Sequence, residues 1–274
     1  MHPASSPSVS RKTVPISSRA WCDYFQQNAR WLRPIPWDEE VRLPADERAA
    51  IVPSVQTFQL GETGNGSHLM AVAREHALRK GDPDFVVATR LFIAEEQRHA
   101  AFLGRWLTAA GIPRLKKDWT NTFFRRLRQM AGLELMISVL LAAEVLAKIY
   151  YAALRKSSGS LMLKRLCEQV LCDEVAHIQF QTQRLAILRS RRPAVALFVT
   201  HLAHRIIFLA TAIVVWRTHR GVFRSAAMPF ARYWRHVSIE IGIALRSMDP
   251  RHYAFRTASL PETRGTQPIA ATAP

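Results

Sequence analysis

Two tetrads of this sequence carry the same pair of metal-binding side chains at the same spacing: Glu96-Gln97-Arg98-His99 and Glu174-Val175-Ala176-His177. On a helix, residues three apart sit about 60° apart around the axis, so each carboxylate and imidazole can hold one ion. Two more glutamates stand in small or apolar stretches, Glu62 in Leu60-Gly61-Glu62-Thr63 and Glu144 in Leu141-Ala142-Ala143-Glu144-Val145-Leu146. A carboxylate among such neighbours is costly unless it is paired or metal-bound.

One Glu from each of two helices, with Glu-x-x-His from each of two others, is the recurring ligand set of inward-facing di-metal sites in helix bundles. A lone Glu-x-x-His arises by chance in about one chain of this length in every few, but two alternating with two apolar-set glutamates are far rarer. Carboxylates bridge two cations and change their binding mode with oxidation state, and one imidazole per ion leaves positions open for oxygen. Glu95 and Asp173 precede the ligand glutamates, where each can accept the second N–H of the histidine on the other helix.

The glutamates are 34 (96 minus 62), 48 (144 minus 96) and 30 (174 minus 144) residues apart. Antiparallel helices of about 25 residues with short turns bring mid-helix positions level at separations of roughly 30 to 35. The spacing therefore predicts four long helices with one long middle crossover: about 53–80, 84–110, 133–155 and 160–192. Gly81-Asp82-Pro83-Asp84 separates the first two, Gly111-Ile112-Pro113 ends the second, and Ser157-Ser158-Gly159-Ser160 separates the last two. Two more helices, about 194–217 and 226–247, follow. The fold class is thus all-α, one domain over 46–247 with an N-terminal arm (1–45, partly disordered) and a disordered tail (248–274).

With 274 residues and 49% hydrophobic content, the chain suits one sizeable core. Cys22, Cys167 and Cys172 form no disulfide framework or C-x-x-C pair, and the first 20 residues hold no apolar run of signal-peptide length, so a reducing cytoplasm is expected. The net charge of +17 comes mostly from arginines clustered in 114–128, 184–192 and 217–235. Such a surface suits an acidic carrier protein or an anionic membrane, with nucleic acid a weaker expectation through Trp119, Phe123 and Phe124 among Lys116, Lys117, Arg125 and Arg126. The apolar helix 194–217 is expected to bury against the bundle or to lie on a membrane surface, since His201, His204 and Arg205 interrupt it.

At Gln59-Leu60-Gly61-Glu62, Glu95-Glu96-Gln97-Arg98-His99 and Asp173-Glu174-Val175-Ala176-His177, the sequence resembles the ferritin-like di-iron carboxylate superfamily over roughly residues 50–192. The resemblance implies a ferritin-like four-helix bundle holding two iron ions, manganese being an alternative at either position, and an oxidoreductase that activates dioxygen or peroxide. Val170 stands where p-aminobenzoate N-oxygenases add a histidine, Ala147 where rubrerythrins and ferritins add an acid, and Leu103 where a ribonucleotide reductase small subunit places its tyrosine. A bare six-ligand site remains, like that of desaturases and hydroxylases: Glu62, Glu96, His99, Glu144, Glu174 and His177.

Lys148 and Tyr151, one and two turns after Glu144, are the candidate catalytic side chains. Gly61, Gly64 and Gly66 lower helix propensity around Glu62, making room for substrate or a helix distortion. The expected activity is hydroxylation, desaturation or N-oxygenation, a monooxygenase-type reaction fed by an electron-donor protein, with a homodimer as an assembly. Peroxide protection and tRNA hydroxylation are the alternatives. A long apolar pocket reaching the metals would favour substrate oxidation, and a sealed core would favour protection.

Overall fold

The computed structural model describes residues 12–116 and 132–255, and among these the regular structure is helical. The elements are α1 (Ser18–Arg30), α2 (Ala45–Glu62), α3 (Ser67–Lys80), α4 (Pro83–Ala109), α5 (Leu133–Ser157), α6 (Leu161–Arg189), α7 (Ala194–Ser225) and α8 (Phe230–Ser247), followed by a 3-10 turn, Pro250–His252. The bundle is built from α2 with α3, then α4, α5 and α6; α5 and α6 form its most closely packed pair. The long connection between α4 and α5 agrees with the expected crossover. Its basic aromatic stretch, including Lys117, Trp119, Phe123, Phe124, Arg125 and Arg126, lies outside the described residues.

Local chemistry explains most boundaries. Asp82 caps α4 by accepting from the Phe85 amide, Pro83 opens the helix, and Gly81 closes α3 in the left-handed conformation. The Ser160 hydroxyl caps α6 by accepting from the Leu163 amide. Glu39 from the arm accepts from the Leu161 and Met162 amides, adding a negative charge at the positive end of α6. Glu47 of α2 accepts from the Ser158 hydroxyl (2.7 Å) and the Gly159 amide (3.0 Å), pinning the α5–α6 turn.

The first bundle helix differs from the single helix expected over 53–80. It is two helices, interrupted at Thr63–Gly66 directly after Glu62. Gly66 has φ +63°, and a Cβ there would meet the Ile93 side chain at 2.5 Å, so both backbone and neighbour demand glycine.

The ends are tied down more firmly than composition suggests. In the arm, α1 packs on α4, where the Cys22 thiol donates to the Asp84 carbonyl, and lays Trp21 and Phe25 against Phe180 of α6. Met248, expected to begin a disordered tail, is buried, and the backbone of Tyr253 bridges to that of Thr13. Arg189 accounts for part of this: fully buried, it donates to Glu134 (2.8 Å), Met248 Sδ (3.2 Å) and His204 Nε2 (3.0 Å), joining α5, α6, α7 and the tail. Burial and the Arg189 charge push His204 down to about 4, so it is a neutral acceptor. Arg184 is also interior, paired with Asp82 and lying over the Phe85 ring. Two arginines of the 184–192 cluster are therefore core groups rather than part of a basic surface.

Candidate metal centre

Four helices bring the predicted ligands together. Glu62 is the last residue of α2, Glu96 and His99 come from α4, Glu144 from α5, and Glu174 and His177 from α6. Ligand atoms of Glu96, Glu144, Glu174 and His177 lie within 4.8 Å of one another. Glu96 Oε1 is 2.9 Å from His177 Nδ1 and 3.7 Å from His99 Nδ1, and Glu174 Oε1 is 4.0 Å from His99 Nδ1.

The imidazoles are held from behind by crossed hydrogen bonds. His99 Nε2 lies 2.9 Å from Asp173 Oδ2, and His177 Nε2 lies 3.0 Å from Glu95 Oε2, each acid coming from the opposite helix. Burial alone would raise both acids, but their histidine partners outweigh it and hold both carboxyls below their usual range. Ionised carboxylates only accept, so each Nε2 atom donates and each ring turns Nδ1 inward, where a bound cation would take its lone pair.

The atoms facing inward lack partners. His99 Nδ1, His177 Nδ1, Glu96 Oε1 and both Glu174 oxygens are buried with no hydrogen bond among the described residues. Buried polar atoms in a native protein are normally satisfied, and a cluster of lone pairs with none is the donor set a cation completes. The titration of the acids has the same cause. Burial, then the charge of nearby carboxylates, pushes Glu62, Glu96 and Glu174 upward. Burial alone would raise Glu144 as well, but the neighbouring Glu174 carboxyl and His177 ring outweigh it and lower it to about 2.

Tyr151 and Lys148 separate in the structure. Tyr151 is buried and donates to Glu62 Oε1 at 3.2 Å, beside the ligands. Lys148 is turned to α8, where its Nζ donates to both oxygens of Glu240 at 2.8 and 2.9 Å. The roughly 40° of turn between residues four apart is enough to move it off the metal face, which Ala143 and Ala147 occupy instead.

Several groups beside the site carry no clear mark in the sequence. Asn28 of α1 donates to Glu95 Oε1 (2.7 Å) and Asp173 Oδ1 (2.8 Å), spanning the two acids that hold the histidines. Arg98 contacts the same pair at 3.0 Å each, and Gln169 donates to Asp173 at 2.8 Å. Gln181 donates to Glu144 Oε1 at 3.1 Å. Arg98 was detectable as a cation inside the first Glu-x-x-His; nothing local marks Asn28.

A cavity of about 280 Å³ reaches the site. Glu62, Glu96 and Glu144 line it, and Phe58, Phe92, Ile93, Met136, Val139 and Leu140 contribute apolar walls. The α2–α3 break supplies Gly64 and Asn65, and α7 supplies Thr211, Val214, Val215, Thr218 and His219 near its kink at His219. Sequence reasoning located the glycines but assigned α7 no part in the site.

No protein-family model matches the chain, and no curated protein matches it. Solved structures do. An R2-like ligand-binding oxidase variant with an aerobically reconstituted Mn/Fe cofactor is 16% identical over 85% of this chain and 93% of its own, with a TM-score of 0.61. Another variant, with an aerobically reconstituted Fe/Fe cofactor, gives the same identity, coverage and score. A third, again Mn/Fe, is 19% identical over 85% of this chain and 94% of its own, also at 0.61. The likeness spans nearly the full length of both chains, and the protein therefore has the ferritin-like helical fold of these oxidases.

Proposed function

We propose that this protein is a di-metal oxidase, loaded with two irons or a manganese–iron pair, that uses dioxygen or peroxide to oxidise an apolar organic substrate. The observation that carries the reading is the cavity: carboxylates of the candidate centre line a space whose remaining walls are mostly apolar side chains. Peroxide protection needs no such space, and a tRNA hydroxylase would need basic groups around it, whereas no lysine or arginine lines this cavity.

Glu62, Glu96, His99, Glu144, Glu174 and His177 would hold the two ions. When bound, such ions would relay electrons to dioxygen or peroxide; inserting one oxygen atom from O2 takes two electrons from the substrate and, in total, two electrons and two protons from outside, the other oxygen leaving as water. A separate electron-donor protein therefore belongs to the proposal. The chain's own residues prepare the site. Glu95 and Asp173 fix both imidazole tautomers, and Gln181 holds one oxygen of Glu144. Tyr151, kept protonated by burial, holds a proton against Glu62. The apolar walls exclude water and orient the substrate.

The test is anaerobic loading with ferrous iron, then exposure to oxygen. Two metal ions per chain, an oxygen-dependent absorbance band, and loss of both in Glu96→Ala and Glu174→Ala are expected. No metal above background in the unsubstituted protein would sink the reading. Product mass then separates the branches: a gained oxygen marks hydroxylation or N-oxygenation, a loss of two hydrogens marks desaturation.

A further inference from the structure

The outer face of α7 is apolar for five turns and basic for the next two. Val195, Phe198, Val199, Leu202, Ile206 and Ile213 are exposed, Phe198 by 69% and Ile206 by 59%. At about 100° per residue these positions fall within roughly 60° of one line along the helix, and so does Arg217; Arg220 and Arg224, beyond the kink at His219, are exposed as well. The apolar part, 195–213, is about 27 Å long at a rise of ~1.5 Å per residue. The opposite face is committed: Leu197, His204, Phe208, Thr211 and Ala212 are buried against the bundle. The expected burial of this helix is thus confined to one side.

We infer that this face docks on an anionic lipid bilayer, with the apolar stripe in the boundary between headgroups and acyl chains and the three arginines among lipid phosphates. The helix is long and apolar enough to cross a membrane, yet His204 is fixed at the buried Arg189, so α7 offers a stripe rather than a lipid-facing cylinder. Charge selects the lipid. The helix itself holds Arg205, Arg217, Arg220 and Arg224 and no Asp or Glu, so its face has no carboxylate to meet its own arginines on a second copy, whereas anionic headgroups supply that charge at every point. Nucleic acid would answer the arginines but not the row of Val, Leu and Ile.

Docking here has a consequence for the cavity, because the inward side of the same helix forms one of its walls through Val214, Val215 and Thr218. A bilayer on α7 places the cavity one helix diameter, about 10 Å, from the acyl region. This connection concerns only where substrate arrives. The docking itself stands whether or not the oxidase reading holds.

The experiment is co-sedimentation of the full chain with vesicles of phosphatidylcholine alone or of phosphatidylcholine with phosphatidylglycerol. Binding to the anionic vesicles is expected, falling about 100-fold in the Arg217→Gln, Arg220→Gln, Arg224→Gln triple variant, at about fivefold per arginine. Leu202→Asp with Ile206→Asp should abolish it, while Leu78→Asp, at a leucine 86% exposed on α3, should leave it unchanged. All these positions are exposed, and circular dichroism confirms that the variants fold. No binding by the unsubstituted chain, or equal binding by every variant, overturns the inference. So does a dimer in solution that Leu202→Asp with Ile206→Asp converts to monomer without altering vesicle binding, which would give the face to a second copy.

Discussion

Asn28 Nδ2 lies 2.7 Å from Glu95 Oε1 and reaches the site from a helix that bears none of the candidate ligands. Its second contact, with Asp173, makes one amide the shared donor for the two acids that hold His177 and His99. Asn28→Ala should leave two buried carboxylates short of a donor and cost about 1–3 kcal/mol. Asn28→Asp should cost more by adding a third negative charge. Thermal melts of the metal-free protein give the order.

Replacing an acid behind a histidine should act on metal affinity more than on folding. Asp173→Asn keeps the shape but removes the ionised acceptor that fixes the His99 tautomer, and metal affinity should fall about 10–100-fold. Glu95→Gln should do the same through His177. Competition with a chelator measures this, and an unchanged affinity would show that the crossed hydrogen bonds do not set the ligand geometry.

Burial and neighbouring carboxylates raise Glu62, Glu96 and Glu174 above the usual value of 4.5, so metal-free folded protein holds protons there that the unfolded chain releases. Their contribution to stability is full below that value and is lost as pH rises through the raised folded values. Depressed Glu95 and Asp173 contribute above their ordinary values and lose stability only as pH falls below them. Metal-free protein should therefore melt higher at about pH 5.5 than at about pH 8, and bound metal should diminish the difference. Calorimetry in buffers of different ionisation enthalpy should show proton release on metal binding.

Two of the three glycines around Glu62 should respond oppositely. Gly66→Ala puts a Cβ into Ile93 at a positive φ and should cost about 1–3 kcal/mol. A Cβ on helical Gly61 meets nothing, so Gly61→Ala should be neutral or stabilise by up to ~1 kcal/mol. Denaturant titrations decide both.

Lys148→Ala removes a partly exposed ion pair with Glu240 and should change stability by less than about 1 kcal/mol, leaving metal stoichiometry intact. A loss of bound metal in this variant would show that Lys148 reaches the centre after all.

The helices that carry the candidate ligands were legible because their pattern is local: Glu-x-x-His puts two possible donors on one helix face, and the spacing between glutamates follows from helix length and turns. The acids behind the histidines were legible for a related reason, since a residue beside a ligand points toward the neighbouring helix. What escaped depends on packing between distant segments. Asn28 is 67 residues from Glu95 and lies in a stretch that composition marks as an arm. Lys148 sits at a plausible helical offset, but its partner Glu240 is 92 residues away. The hydropathy of α7 suits burial and lipid contact equally, and only the position of the bundle against one side separates them.

The interruption after Glu62 has a further consequence. In an unbroken bundle helix, every change near a ligand alters the core on which the fold depends. Here the four residues Thr63–Gly66 lie outside both helices, and Gly64 and Asn65 border the cavity without bearing candidate ligands. Substitution at Gly64 or Asn65 can therefore reshape that side of the cavity while the helices bearing the candidate ligands keep their packing.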